Sequence, residues 1–177
     1  MKRLILLVAA VLLVSAATNA GAGDFKLGSE PDGFRGIKWG TNIQTLTGMS
    51  RTGTDAGSGE VEKYTRSEDD LVMGSASLSK IVYAFWPQQL LSVTIEARGS
   101  ANCEALREAT FKQYGFGHKT NLYLKDYYWL GPVTKMMYNE STTKEDCFLY
   151  MVSHKLMEEA ALSKGATTPE WEEEDSE

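Results

Sequence analysis

Histidine and cysteine are scarce in this chain: two of each in 177 residues. Zinc needs four clustered ligands, and neither His118 nor His154 has a second ligand at metal spacing, so the sequence offers no metal site. Cys103 and Cys147 are far apart, which excludes the C-x-x-C dithiol of redox enzymes. No G-x-S-x-G elbow is present to carry a serine nucleophile. Asp69-Asp70 and the Asp55–Glu60 loop lack the ligand order of a calcium loop and read as solvated turns. Positive charge is also in deficit, with 18 basic against 24 acidic residues. Nucleic acid is therefore not an expected partner, since its phosphates call for clustered lysine and arginine. No cofactor motif is legible.

Long apolar runs are limited to one, Leu4–Val14, directly after Met1-Lys2-Arg3 and before the small residues Ala20 and Ala22. A basic start, a short apolar core and a small-residue exit read as a secretory signal peptide over residues 1–22. No cysteine follows it that could carry a lipid, and no transmembrane segment is expected in the mature chain. The mature protein is expected in the periplasm or secreted, as one domain over residues 23–168 of a size that supports a sizeable core. Residues 169–177 form an acidic tail, read as a solvated end. In an oxidising compartment an isolated cysteine pair forms a disulfide, so Cys103 and Cys147 are expected to be bonded.

Phe34, Ile37 and Trp39 stand among glycines as a short extended opening. Thr41 and Gln44 have capping-box spacing, which predicts a short helix through Ile43, Leu46 and Met49. Residues 50–60 read as a Gly/Ser/Thr loop, residues 61–66 as a strand and residues 67–80 as ambiguous. The clearest sheet signal is 81–98, where two runs of alternating apolar residues flank Pro87-Gln88-Gln89. Cys103, Leu106, Thr110 and Tyr114 make one helical face. Strands are expected over Leu122–Leu130, Val133–Asn139 and Cys147–Val152, then a helix over Lys155–Lys164. Together these give an α+β fold: a mostly antiparallel sheet with helices on one face, ordered as two helix-then-strands units.

A tight turn at Gln88-Gln89 sets Trp86 opposite Leu91, Ala84 opposite Val93 and Val82 opposite Ile95, with those six toward the core. Ile81, Tyr83 and Phe85 then stand on the outer face, and a one-residue change in the turn exchanges the two sets. If Cys147 bonds to a helix, Leu149 and Met151 face that helix too, leaving Phe148, Tyr150 and Val152 on the far side. Tyr83, Phe85, Phe148 and Tyr150 are therefore the candidate binding residues. An aromatic patch of this kind needs a cover, which could be another part of the chain, a second copy, or a partner. Tyr127-Tyr128-Trp129 could stack on a sugar but equally suits strand packing. Glu96 and Asp126 are the carboxylates considered for acid–base chemistry, with nothing in the sequence to pair them across one bond.

The stretch Phe34-Arg35-Gly36-Ile37-Lys38-Trp39-Gly40-Thr41 resembles the opening of small exported bacterial proteins of unassigned function, which implies envelope localisation and nothing catalytic. Its short element, glycine and capped helix are also similar to small outer-membrane assembly lipoproteins, whose lipidated cysteine this chain lacks. The expected function is an exported, non-enzymatic binding or interaction module. Its partner would be an envelope protein or a small ligand, and a homodimer is possible. The alternative is a small hydrolase-like envelope enzyme with a loop-built active site.

Overall fold

The computed structural model describes residues 24–55, 61–119, 121–141 and 143–163. The expected signal peptide over residues 1–22, the acidic tail and the 56–60 part of the glycine loop lie outside them. A two-stranded hairpin, β1 (Gly33–Phe34) and β2 (Ile37–Lys38), precedes a single 3-10 turn at Ile43–Thr45. The main sheet is built from β3 (Met49–Thr54), β4 (Glu62–Arg66), β5 (Val72–Met73), β6 (Ala76–Phe85), β7 (Leu90–Arg98), β8 (Tyr127–Leu130), β9 (Thr134–Glu140) and β10 (Asp146–Ser153). Helix α1 (Ser100–Tyr114) links β7 to β8, and α2 (His154–Ser163) follows β10. The strand order is β3-β4-β6-β7-β10-β9-β8, with β5 pairing only to β6, and each pairing is antiparallel. The chain is thus an α+β fold with a mostly antiparallel sheet.

Helix α1 carries the chain from β7 to the far edge, and two hairpin steps bring it back, so β10 is laid against β7. These two strands form the centre of the sheet, and Val93, Ile95, Leu149 and Met151 on them are fully buried. The predicted face of α1 is the buried one: Cys103, Leu106, Thr110 and Tyr114. Cys103 and Cys147 are disulfide-bonded, which ties the first turn of α1 to the start of β10.

Three expectations fail. The first is that the helices share one face of the sheet. Cys103, Leu106 and Tyr114 of α1 pack with Tyr83, Phe85 and Val93, while Leu156 and Ala160 of α2 pack with Ala84, Trp86, Leu91 and Val152. Tyr83 and Ala84 are sequence neighbours in a strand and point to opposite faces, so the helices lie on opposite sides. The cause is that β6, β7 and β10 are apolar on both faces at this end and need two covers.

The second is the helix from Thr41. Asn42, not Thr41, provides the cap, its Oδ1 accepting from Gln44 N–H at 2.8 Å. The turn ends after one round because Leu46 is extended and Gly48 sits at φ 71, in the left-handed region. Met49 then pairs with Arg66 and starts β3, where the expectation was a loop. Only the second half of the chain therefore has the helix-then-strands order. The third is the strand from Leu122, which starts only at Tyr127.

The opening hairpin is clasped by buried charge. Arg35, at φ 49, donates from Nη2 to the Val72 carbonyl at 2.8 Å and places Nη1 3.5 Å from Asp69 Oδ1. The Tyr83 hydroxyl donates to the same oxygen at 3.0 Å. The Asp69 side chain is 5% exposed. Burial, with Asp69 beside it, holds the Tyr83 phenol far above its ordinary pKa. Asp69→Ala would leave the Tyr83 hydroxyl without its acceptor and the Arg35 guanidinium held only by the Val72 carbonyl. The expected loss of stability is about 2–4 kcal/mol; an unchanged urea midpoint would show that the network contributes nothing.

Candidate functional site

Among the described residues, only half of the sheet face opposite α1 is covered. Strand register places Leu130, Lys135, Val152, Ser92 and Ala84 in one row across it. The next rows are Tyr128, Met137, Tyr150, Thr94 and Val82, then Asn139, Phe148, Glu96 and Lys80. Helix α2 packs on the first row through Val152 and Ala84, and Tyr150 and Met157 join that contact. Beyond it lies a groove of about 510 Å³ whose floor includes Thr94, Glu96, Phe148 and Tyr150, with Arg98 and Lys144 on its rim. Its size suits a small ligand or an inserted side chain.

The charges around this groove are uncommitted. Asp146 stands directly opposite Arg98, and Lys80 opposite Glu96. Glu96, Arg98, Lys144 and Asp146 nevertheless form no ion pair among the described residues. Burial raises the pKa of Tyr150, which keeps a neutral phenol at the covered end of the groove. The site is thus an aromatic floor with two carboxylates and two cations at hand. It can take up an apolar group and hydrogen-bond or pair with polar groups of either sign.

The four predicted residues divide. Phe148 and Tyr150 are half-buried and line the groove. Tyr83 and Phe85 are 0% exposed, in the core under α1, so their expected place on the outer face is wrong. The reason is the turn. Trp86 N–H donates to Gln89 O at 2.8 Å, closing the turn around Pro87 and Gln88 rather than at Gln88-Gln89, and Gln88 takes φ 68. Phe85 pairs with Leu90 and Ala84 with Ser92, leaving Leu91 as the extra residue of a bulge. The register differs by one from the expected one, and Tyr83 and Ile81, not Ala84 and Val82, lie opposite Val93 and Ile95.

Other candidates are absorbed by packing. Trp129 is fully buried and donates from Nε1 to the Gly115 carbonyl at 3.0 Å, while Tyr127 meets Phe111 edge-on at 4.8 Å. Asp126 accepts from Asn139 Nδ2 at 2.6 Å. His154 opens α2, its Nε2 3.0 Å from Glu158 Oε1. Tyr138 and Tyr114 have raised pKa values because they are buried, Tyr114 at about 12, and Lys38 lowers Asp32 through a surface hydrogen bond. Among the described residues no cluster of three or more His, Cys, Asp and Glu could hold a metal. No described helix is long and apolar enough to cross a membrane.

One feature escaped sequence reasoning. Asn121 closes a turn, its Oδ1 accepting from Tyr123 N–H at 2.8 Å and its carbonyl from Leu124 N–H at 3.3 Å. This puts Leu122 and Tyr123 at the apex, 83% and 93% exposed. The asparagine was the available signal, since Asn favours such turns, but the apolar residues after it read as a strand. No protein-family model, curated protein or solved structure matches this chain.

Proposed function

We propose that the chain is an exported, non-enzymatic binding or interaction module that works in the periplasm or outside the cell through the groove over Phe148 and Tyr150. The observation that carries this reading is the half of the sheet that no described residue covers: an aromatic floor beside four charged side chains that make no ion pair among the described residues. Helix α2 caps the other half of the same face. The disulfide suits an oxidising compartment.

The test is native mass spectrometry of the mature protein from its own exported compartment, set against the denatured mass. A bound mass or defined oligomer is expected for the wild type. Phe148→Ser should weaken it at least ~10-fold while leaving the fold intact, as expected for truncation of a central aromatic. Association untouched by Phe148→Ser would refute the groove as the site.

A further inference from the structure

Two adjacent large side chains stand out in solvent at the turn between α1 and β8. Leu122 is 83% and Tyr123 93% exposed among the described residues, and Leu124 beside them is 38% exposed. Turn apices are ordinarily Gly, Pro, Asn, Asp or Ser, and large apolar groups held out in this way mark contact sites. The turn is fixed from within. Asn121 Oδ1 accepts from Tyr123 N–H, the Asn121 carbonyl accepts from Leu124 N–H, and the Leu122 carbonyl accepts from Lys119 Nζ at 3.0 Å. These backbone groups at the apex are thus paired inside the turn itself.

We infer that this turn is a membrane-contact site, which inserts Leu122 and Tyr123 into the interfacial layer of a phospholipid bilayer. It belongs to the α1 side of the sheet, where Tyr123 shares a hollow with Ser100 and Cys103, and does not rest on the groove of the opposite face. Shape favours lipid over protein as the partner: a projecting apex needs a matching hollow in a protein but none in a fluid bilayer. Backbone pairing favours it too, since polar groups that enter an apolar layer must bring their partners with them. Tyr123 has the apolar ring and polar tip that suit the headgroup boundary. Phe116, 77% exposed, extends the apolar surface. Its ring lies 4.9 Å from Phe111, which meets Tyr127 at 4.8 Å, and the Lys119 ammonium sits 5.8 Å over Tyr127. Residues 115–125 contain Lys119 and Lys125 and no acid, so ammonium groups flank the apolar apex, as snorkelling lysines do at a headgroup layer. Lys125 is paired with Glu140, whereas Lys119 forms no ion pair among the described residues. Glu145 shares the hollow beside Tyr123, so anionic lipid should be preferred only modestly, and the apolar side chains carry the binding. So few side chains give a reversible attachment no stronger than that of one myristoyl chain, with a partition constant on the order of 10³–10⁴ M⁻¹.

Vesicle flotation tests this with protein isolated from its own compartment, on phosphatidylcholine alone and on phosphatidylcholine mixed with phosphatidylglycerol. The wild type is expected to bind half-maximally at ~0.1–1 mM accessible lipid. The double variant L122S/Y123S should bind at least ~10-fold more weakly and keep the wild-type urea midpoint, because both side chains are exposed. Lys119→Gln should weaken binding about 5-fold on the phosphatidylglycerol vesicles only. Tyr123→Trp should bind as the wild type does, with an added emission that moves to the blue on vesicles and is quenched by lipid brominated along its acyl chains. Phe148→Ser, in the groove of the opposite face, should float like the wild type, so the groove and the turn are tested separately. No flotation at ~5 mM lipid, flotation unaffected by L122S/Y123S, or a Tyr123→Trp emission indifferent to vesicles would overturn the inference. A protein complex or oligomer lost in L122S/Y123S, with no vesicle binding by the wild type, would overturn it as well and make the turn a protein contact.

Discussion

Phe85→Ser is expected to abolish folding or bring the protein close to that point. The ring is fully buried under α1 and meets Tyr64 edge-on at a centroid distance of 5.3 Å. Truncating a buried phenylalanine costs about 3–5 kcal/mol through lost transfer energy and the cavity left behind. A serine hydroxyl without a partner in that cavity adds roughly 1–3 kcal/mol. Against a total stability of about 5–15 kcal/mol for a domain, the sum removes most or all of it. Phe148→Ser makes the sharp contrast, because that ring is half-buried over an open groove and should cost no more than ~1–2 kcal/mol. Urea unfolding of the two variants side by side reads the difference. If Phe85→Ser unfolds at the wild-type midpoint, the ring is not in the core, and the register on which the groove is built is wrong with it.

The same residue shows where sequence reasoning succeeded and where it stopped. Alternation in 81–98 specifies a hairpin but not which way it faces, because both faces of β6 are apolar at this end. Ile81, Tyr83 and Phe85 alternate with Val82, Ala84 and Trp86, and either set can make a core. Only the turn decides between them, and Pro87 in the first corner position with a bulge at Leu91 shifts everything by one. Around Phe148 the sequence was less ambiguous, since Cys147 is fixed toward α1 by its bond to Cys103 and the next residue must point away. That is why half of the candidate site was legible and half was not. The helix expected after Thr41 failed for another reason: one capped turn is too costly a nucleus to extend when Gly48 follows and Met49 can join a sheet edge.

Breaking the disulfide has the other large expected effect. The bond closes a loop of 44 residues that holds α1, β8 and β9, and in the chain-entropy picture this is worth about 4 kcal/mol. Both half-cystines are buried, Cys103 at 0% and Cys147 at 4% exposed, with Cα atoms 5.7 Å apart. Replacing both by serine should lower the urea midpoint by the equivalent of that energy, reducing the folded-to-unfolded ratio about a thousandfold. The loss should not be spread evenly. The C-terminal turns of α1 remain seated through Leu106, Thr110 and Tyr114, whereas its first turn loses its only covalent hold on β10. Amide exchange should therefore accelerate first around Ser100–Glu104 and at the start of β10, where the strand begins the groove's floor. Wild-type protein under reductant should reproduce the midpoint of the double serine variant, since both lose the same cross-link. A fall of less than about 1 kcal/mol would mean that the unfolded chain keeps its 103–147 segment compact without the bond. The stability of the face that carries Phe148 would then rest on strand pairing between β7 and β10 rather than on the cross-link.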